Sequence, residues 1–116
     1  MKKNLIKEKS FDFALQIIDT YKGLVKDKKE FVMSKQLLRS GTAVGALVRE
    51  AEHAQSKADF IHKMSIALKE ANETEYWLDL LHKSNYLNTT EFNKIHTESV
   101  SVLKILISIV KSSKNN

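Results

Sequence analysis

A chain of 116 residues, 42% hydrophobic and carrying a net charge of +5, is one domain with enough apolar side chains for its own core. The absence of cysteine excludes disulfides, thiolate metal ligands and a thiol nucleophile. With no proline and three glycines it has too few turn formers for an all-β domain, so long helices with short links are expected.

The basic start MKKNLIKEKS has no apolar run behind it and does not read as a secretory signal. No stretch is apolar for the length of a membrane-spanning helix. A cytoplasmic protein with no membrane partner is the expectation. Charge is unevenly placed. Residues 1–35 hold nine lysines and five acids, residues 36–82 five basic and seven acidic residues, and residues 83–116 five lysines and two acids. The outer segments are basic and the middle is mildly acidic.

Ser10 reads as the cap of a first helix over residues 10–26. Phe13, Ala14, Ile17, Tyr21 and Leu24 recur on one helical face, widened by Ile18 and Val25. Gly23 weakens this helix by ~1 kcal/mol relative to alanine. The link VKDKKEFVM is hydrophilic, with Phe31 and Met33 as apolar plugs. Ser34 is the preferred cap of a second helix over residues 34–55, with Asp27 and Glu30 as the rival. Leu37, Ser40, Val44, Val48 and Ala51 share one face of it. Gly41 and Gly45 form a G-x-x-x-G pair. That pair serves either close packing of two helices or the close approach of another backbone or ligand.

Ser56 and Asp59 form a capping box ahead of a third helix over residues 57–84. Phe60, Met64, Ala67, Ala71, Thr74 and Leu78 make its core face. Ile66, Trp77 and Leu80 form a second apolar stripe roughly 100–160° round the helix, at about 100° per residue. They are candidate oligomer-interface residues, or else they widen one broad core face. Asn88 and Glu91 open a fourth helix over residues 89–112. Its run VSVLKILISIV is rich in β-branched residues. The polar positions Ser101, Lys104, Ser108 and Lys111 recur at helical spacing, which decides for helix. The tail SSKNN is expected to fray. Four helices with short links give an all-α, up-down-up-down antiparallel four-helix bundle.

Catalysis and metal binding find little support. Glu50-x-x-His53 and Asp79-x-x-His82 each pair a carboxylate with an imidazole on one helical face, as di-iron bundles do. A hairpin turning near Ser56 sets the two pairs ~24 residues apart, roughly 36 Å along the axis, so they cannot share metal ions within a subunit. His62 and His96 read as surface or helix-face residues. No nucleophile motif, phosphate loop or zinc spacing appears. The expectation is a non-enzyme without a cofactor.

The run from Gln36 to Leu81 resembles the core of the bacterial four helix bundle protein family, also called the 23S rRNA intervening-sequence protein family. The matching features are Gln36-x-x-Arg39, Ala43-Val44-Gly45-Ala46, Glu50, Ser56-Lys57 before Asp59-Phe60, Ser65-Ile66-Ala67 and Glu73. The chain departs from the family's Asn-Ile-x-Glu-Gly pattern, with Leu47 in place of the asparagine and Ala51 in place of the glycine. The resemblance implies a homo-oligomer, a pentamer in the family. The chain is also similar to the accessory variability proteins of diversity-generating retroelements. That similarity implies a basic ring able to meet a reverse transcriptase or another protein partner, and RNA or DNA.

Three groups of residues follow as expectations. Lys22, Lys26 and Lys29 fall at helical spacing, with Lys28 and Lys35 nearby, as a phosphate-binding surface; Lys2, Lys3, Lys7 and Lys9 would add a mobile arm. Lysines are point charges that read bases poorly, so little sequence preference is expected. Arg39 and Glu73 each lie 17 residues from Ser56, which sets them level as a structural ion pair. Ile66, Trp77 and Leu80 face another subunit. The competing function is an oligomeric scaffold or protein adaptor with no role in nucleic-acid binding.

Overall fold

In the computed structural model, which describes residues 2–115 and side chains from Leu5 onward, four helices make the whole fold. They are α1 (Lys2–Lys28), α2 (Met33–Glu52), α3 (Lys57–Lys83) and α4 (Thr89–Lys114). Each packs on its sequence neighbour, α1 also packs on α4, and the backbones of the two diagonal pairs stay apart. The result is a square antiparallel bundle of 46 × 22 × 20 Å. Its long dimension is set by α1 and α3, 27 residues each, or about 40 Å at 1.5 Å per residue.

The core follows the helical stripes. Phe13, Ile17 and Leu24 of α1 meet Leu37, Val44 and Val48 of α2, with Leu78 and Leu81 of α3 and Val102 and Leu106 of α4. Each large side chain fully buried this way stabilises the fold by ~1.5–3 kcal/mol. The expected faces of α2 and α3 are buried, Phe60 only in part. On α1 the stripe begins earlier than expected. Ile6, 2% exposed, continues it one turn pair before Phe13, so the helix starts at Lys2 and Ser10 lies inside it. Ser10 is buried and its hydroxyl donates to the Lys7 carbonyl, so it caps nothing. Lys7 and Lys9 therefore sit on rigid helix rather than on a mobile arm. The side chains of Lys2 and Lys3 lie outside the described residues.

The α1–α2 link corrects two further expectations. Neither Ser34 nor Asp27 caps α2. Glu30 does, with its carboxylate accepting from the backbone N–H of Val32 (3.1 Å), Met33 (3.0 Å) and Ser34 (2.7 Å). Three of the four free donors of the helix start are thus met by one side chain. Ser34 lies inside the helix and donates its hydroxyl to the Glu30 carbonyl. Phe31 is no plug: it is 51% exposed, while Met33 packs on the core.

The second link is longer than expected, because α2 ends at Glu52 and α3 starts at Lys57. His53 and Ala54 donate to the carbonyls three residues back, a 3₁₀-type closure. Ser56 accepts from the Asp59 N–H, and the Asp59 carboxylate accepts from the Gln55 N–H. Asn88 and Glu91 form a reciprocal capping box for α4, which runs to Lys114 and takes Ser112 and Ser113 into regular helix. Gly41 and Gly45 both face α1. A Cβ on Gly41 would lie 2.8 Å from two carbons of Ile17, and one on Gly45 would lie 3.3 Å from the Ser10 carbonyl oxygen. The pair is a helix-packing device.

Candidate nucleic-acid interface

An up-down-up-down bundle gathers the end of α1, the start of α2, the end of α3 and the start of α4 at one end. Residues 22–35 span part of that end and hold five lysines against two acids. Lys22, Lys26, Lys28, Lys29 and Lys35 are all exposed. None of them enters an ion pair among the described residues, whereas Lys7 meets Glu52 at 3.1 Å and Lys63 meets Glu50 at 3.3 Å. One of the two acids, Glu30, is turned inward. Burial works to raise its pKa, but its hydrogen bonds from Met33, Ser34 and Val32 outweigh that, so the net shift is downward.

The lysines do not form one helical stripe. α1 ends at Lys28, and Lys29 sits outside it with φ 56°, in the left-handed region. Lys22 and Lys26 lie on the outer side of α1, Lys28 and Lys29 at its end, and Lys35 in the first turn of α2. The arrangement is a cap of charge round the link. Phe31 and the 74%-exposed Val32 stand in its middle.

Across the bundle, Arg39 of α2 reaches two acids of α3. Its guanidinium donates to Glu70 at 3.2 Å and forms a short contact with Glu73. Glu73 also accepts from the Trp77 indole N–H at 3.0 Å. That indole bond, and then Arg39, hold the Glu73 carboxyl below its ordinary pKa. The hydrogen bond that Arg39 donates to Glu73 in turn raises the pKa of the guanidinium. Ile66, Trp77 and Leu80 are half-buried, and Trp77 packs partly on the core. Beside it, 57%-exposed Tyr76 meets the indole edge-on, ring centres 5.2 Å apart.

The most exposed large apolar side chains lie where the sequence did not point. Besides Phe31, Val32 and Tyr76 they are Leu5, Phe11, Leu15 and Ile107. Phe11 lies 5.4 Å beneath the Arg49 guanidinium of α2. The histidine pairs are likewise separate: Glu50 holds Lys63, while His82 stacks on Phe92 and Phe92 on His96, which meets Glu75 at 3.0 Å. Among the described residues no three potential metal ligands come together. No described helix is long and apolar enough to cross a membrane.

Fold and surface together define a small all-helical bundle whose chemistry lies on its outer faces. The chain belongs to the 23S rRNA-intervening sequence protein family, whose model matches residues 2–108. It is similar to a solved structure from Bacteroides thetaiotaomicron, described as a protein of unknown function from the S23 ribosomal protein family. The two are 58% identical with a TM-score of 0.93, over 96% of this chain and 99% of the other. Curated proteins give no match.

Proposed function

We propose that this chain is a non-enzymatic oligomeric bundle that binds nucleic acid by its phosphates, through Lys22, Lys26, Lys28, Lys29 and Lys35. The observation that carries the reading is that all five are exposed at one end of the bundle and enter no ion pair among the described residues. A ribosomal-protein family name on the similar structure favours RNA. Lysines act here as point charges that release counterions, so affinity is salt-dependent and nearly sequence-independent.

Oligomerisation multiplies the effect. Two apolar patches lie on different faces beside α2. One is Phe11 with Leu15, next to Arg49; the other is Tyr76, Trp77, Leu80 and Ile66, next to Arg39. Arg39 and Arg49 are about 80° apart round α2 at 100° per residue. Two unlike patches on two faces suit head-to-tail contacts, the kind from which rings are built when the rotation between copies closes. Five copies, the number the family resemblance implies, would carry about +25 from +5 each. The same patches favour a second reading, an oligomeric scaffold that meets a protein such as a reverse transcriptase and binds no nucleic acid.

Binding to a generic RNA and a generic duplex DNA across a salt series separates the two. Lys28→Gln/Lys29→Gln/Lys35→Gln lowers affinity for both and flattens the salt slope by about 2–3 if each lysine meets a phosphate. Sedimentation of the variant is unchanged. Binding that ignores the triple substitution favours the scaffold.

A further inference from the structure

We infer that the α1–α2 link is a contact for unpaired bases, with Phe31 as the stacking residue and the surrounding lysines holding the flanking phosphates. This rests on the nucleic-acid reading above and adds to it a preference for single strands.

The polarity of the link is inverted. Its acid, Glu30, is 7% exposed, while its aromatic, Phe31, is 51% exposed and Val32 is 74% exposed. A link that merely closed the end of a bundle would turn the aromatic inward and the acid out. The inversion is fixed by bonds. The Glu30 carboxylate takes the N–H groups of Val32, Met33 and Ser34, and its own N–H donates to the Leu24 carbonyl at 3.0 Å. Lys29 adopts φ 56° to make that turn. With Glu30 seated inward at the start of α2, Phe31 cannot follow it. The buried acid also leaves Lys28, Lys29 and Lys35 exposed round the link, with Asp27 the one exposed acid between Lys22 and Lys35.

A half-exposed ring on a backbone fixed by the Glu30 bonds, among lysines that enter no ion pair among the described residues, matches a ligand with a flat apolar face beside an anion. An unpaired nucleotide has both. A duplex hides its base faces in the stack and offers phosphates alone. Stacking on an aromatic side chain tolerates any base, in keeping with the lack of base-reading arginines here.

The test compares wild type, Phe31→Ala and Phe31→Trp on a single-stranded RNA and a duplex of equal length at one salt concentration. Circular dichroism checks that the exposed substitutions leave the helices intact. The expected result is that Phe31→Ala weakens single-strand binding by about ten-fold and leaves duplex binding within two-fold. Phe31→Trp keeps the affinity and gains an indole signal that the single strand quenches and the duplex does not. Equal single-strand binding by wild type and Phe31→Ala overturns the stacking role while leaving phosphate binding in place. Quenching by both ligands alike overturns it as well. No binding of either nucleic acid by wild type overturns this inference together with the reading beneath it.

Discussion

Replacing Gly41 by alanine should destabilise the bundle, although the same change at Gly23 should stabilise it. Both glycines are inside helices, so both substitutions gain ~1 kcal/mol of helix propensity. At Gly23 a new Cβ meets nothing within 4 Å, and the whole gain survives. At Gly41 it would sit 2.8 Å from Cγ1 and Cγ2 of Ile17 and 3.1 Å from Cδ1, against an ordinary carbon contact of about 3.5–4.0 Å. Ile17 is fully buried and β-branched, so turning χ1 exchanges one clashing carbon for another. Relief requires α1 and α2 to part, and overpacking of this kind costs ~1–3 kcal/mol. The net change for Gly41→Ala runs from near zero to a loss of ~2 kcal/mol, which places it ~1–3 kcal/mol below Gly23→Ala. Urea unfolding followed by circular dichroism measures both, at one fixed protein concentration because assembly shifts the midpoint. A double-mutant cycle gives the cause. Ile17→Ala alone loses ~2–5 kcal/mol, but in that background Gly41→Ala should turn stabilising. Equal stabilisation by Gly41→Ala and Gly23→Ala in the wild-type background would refute the close approach of α1 and α2 at this point.

Glu30→Gln should cost ~1 kcal/mol or more through loss of the charged cap on α2. Because the Glu30 pKa is lowered in the fold, its contribution is complete above the unfolded value of about 4.3 and is lost as pH falls through the folded one. The variant should therefore lose less stability on acidification below about pH 4, as read from urea midpoints across pH. Arg39→Ala and Glu73→Ala should show a coupling of ~0–1 kcal/mol, small because Arg39 is half exposed, and it should shrink in high salt. Glu73 has the same sign of pH dependence as Glu30, and Glu73→Gln removes its share of the acid slope. Tyr76→Glu/Leu80→Glu should shift sedimentation toward the monomer with helical content retained, whereas unchanged assembly would remove that patch from the interface.

The helical stripes made the bundle legible before any coordinates. Val44, Val48, Ala67, Ala71 and Leu78 each recur at a spacing that only a helix turns into one face. The caps at Ser56 and Asn88 were equally plain, since the partners are close in sequence, although Asp59 accepts from the Gln55 N–H rather than closing the box on Ser56. The α1–α2 link was not, because Ser34 has the chemistry of a cap and Phe31 that of a plug, while Glu30 reads only as the partner of Asp27 in the rival box. The exchange of places between Glu30 and Phe31 depends on three backbone N–H groups at the start of α2, a tertiary arrangement that composition does not encode. The start of α1 was hidden because Ser10 has the chemistry of a cap, and the buried Ile6, one turn earlier, shows the helix running through it. The hairpin register set Arg39 level with Glu73, but it gave no sign that Glu70 and Trp77 complete the network. Phe11 and Leu15 went unread as surface because they flank a core stripe on the same helix. Which side of a wide apolar face stays wet depends on where α2 and α4 lie.

The central claim is an assembled bundle that carries nucleic acid on its basic ends. Sedimentation velocity of the wild-type protein with a dye-labelled single-stranded RNA, repeated from low to high salt, tests it most directly. The account predicts protein sedimenting as an oligomer at every salt concentration. At low salt the RNA moves with it, and the association constant falls steeply, linearly in log–log form, as salt rises. A protein that sediments as a monomer throughout, or an oligomer that leaves the RNA behind even at low salt, would contradict it.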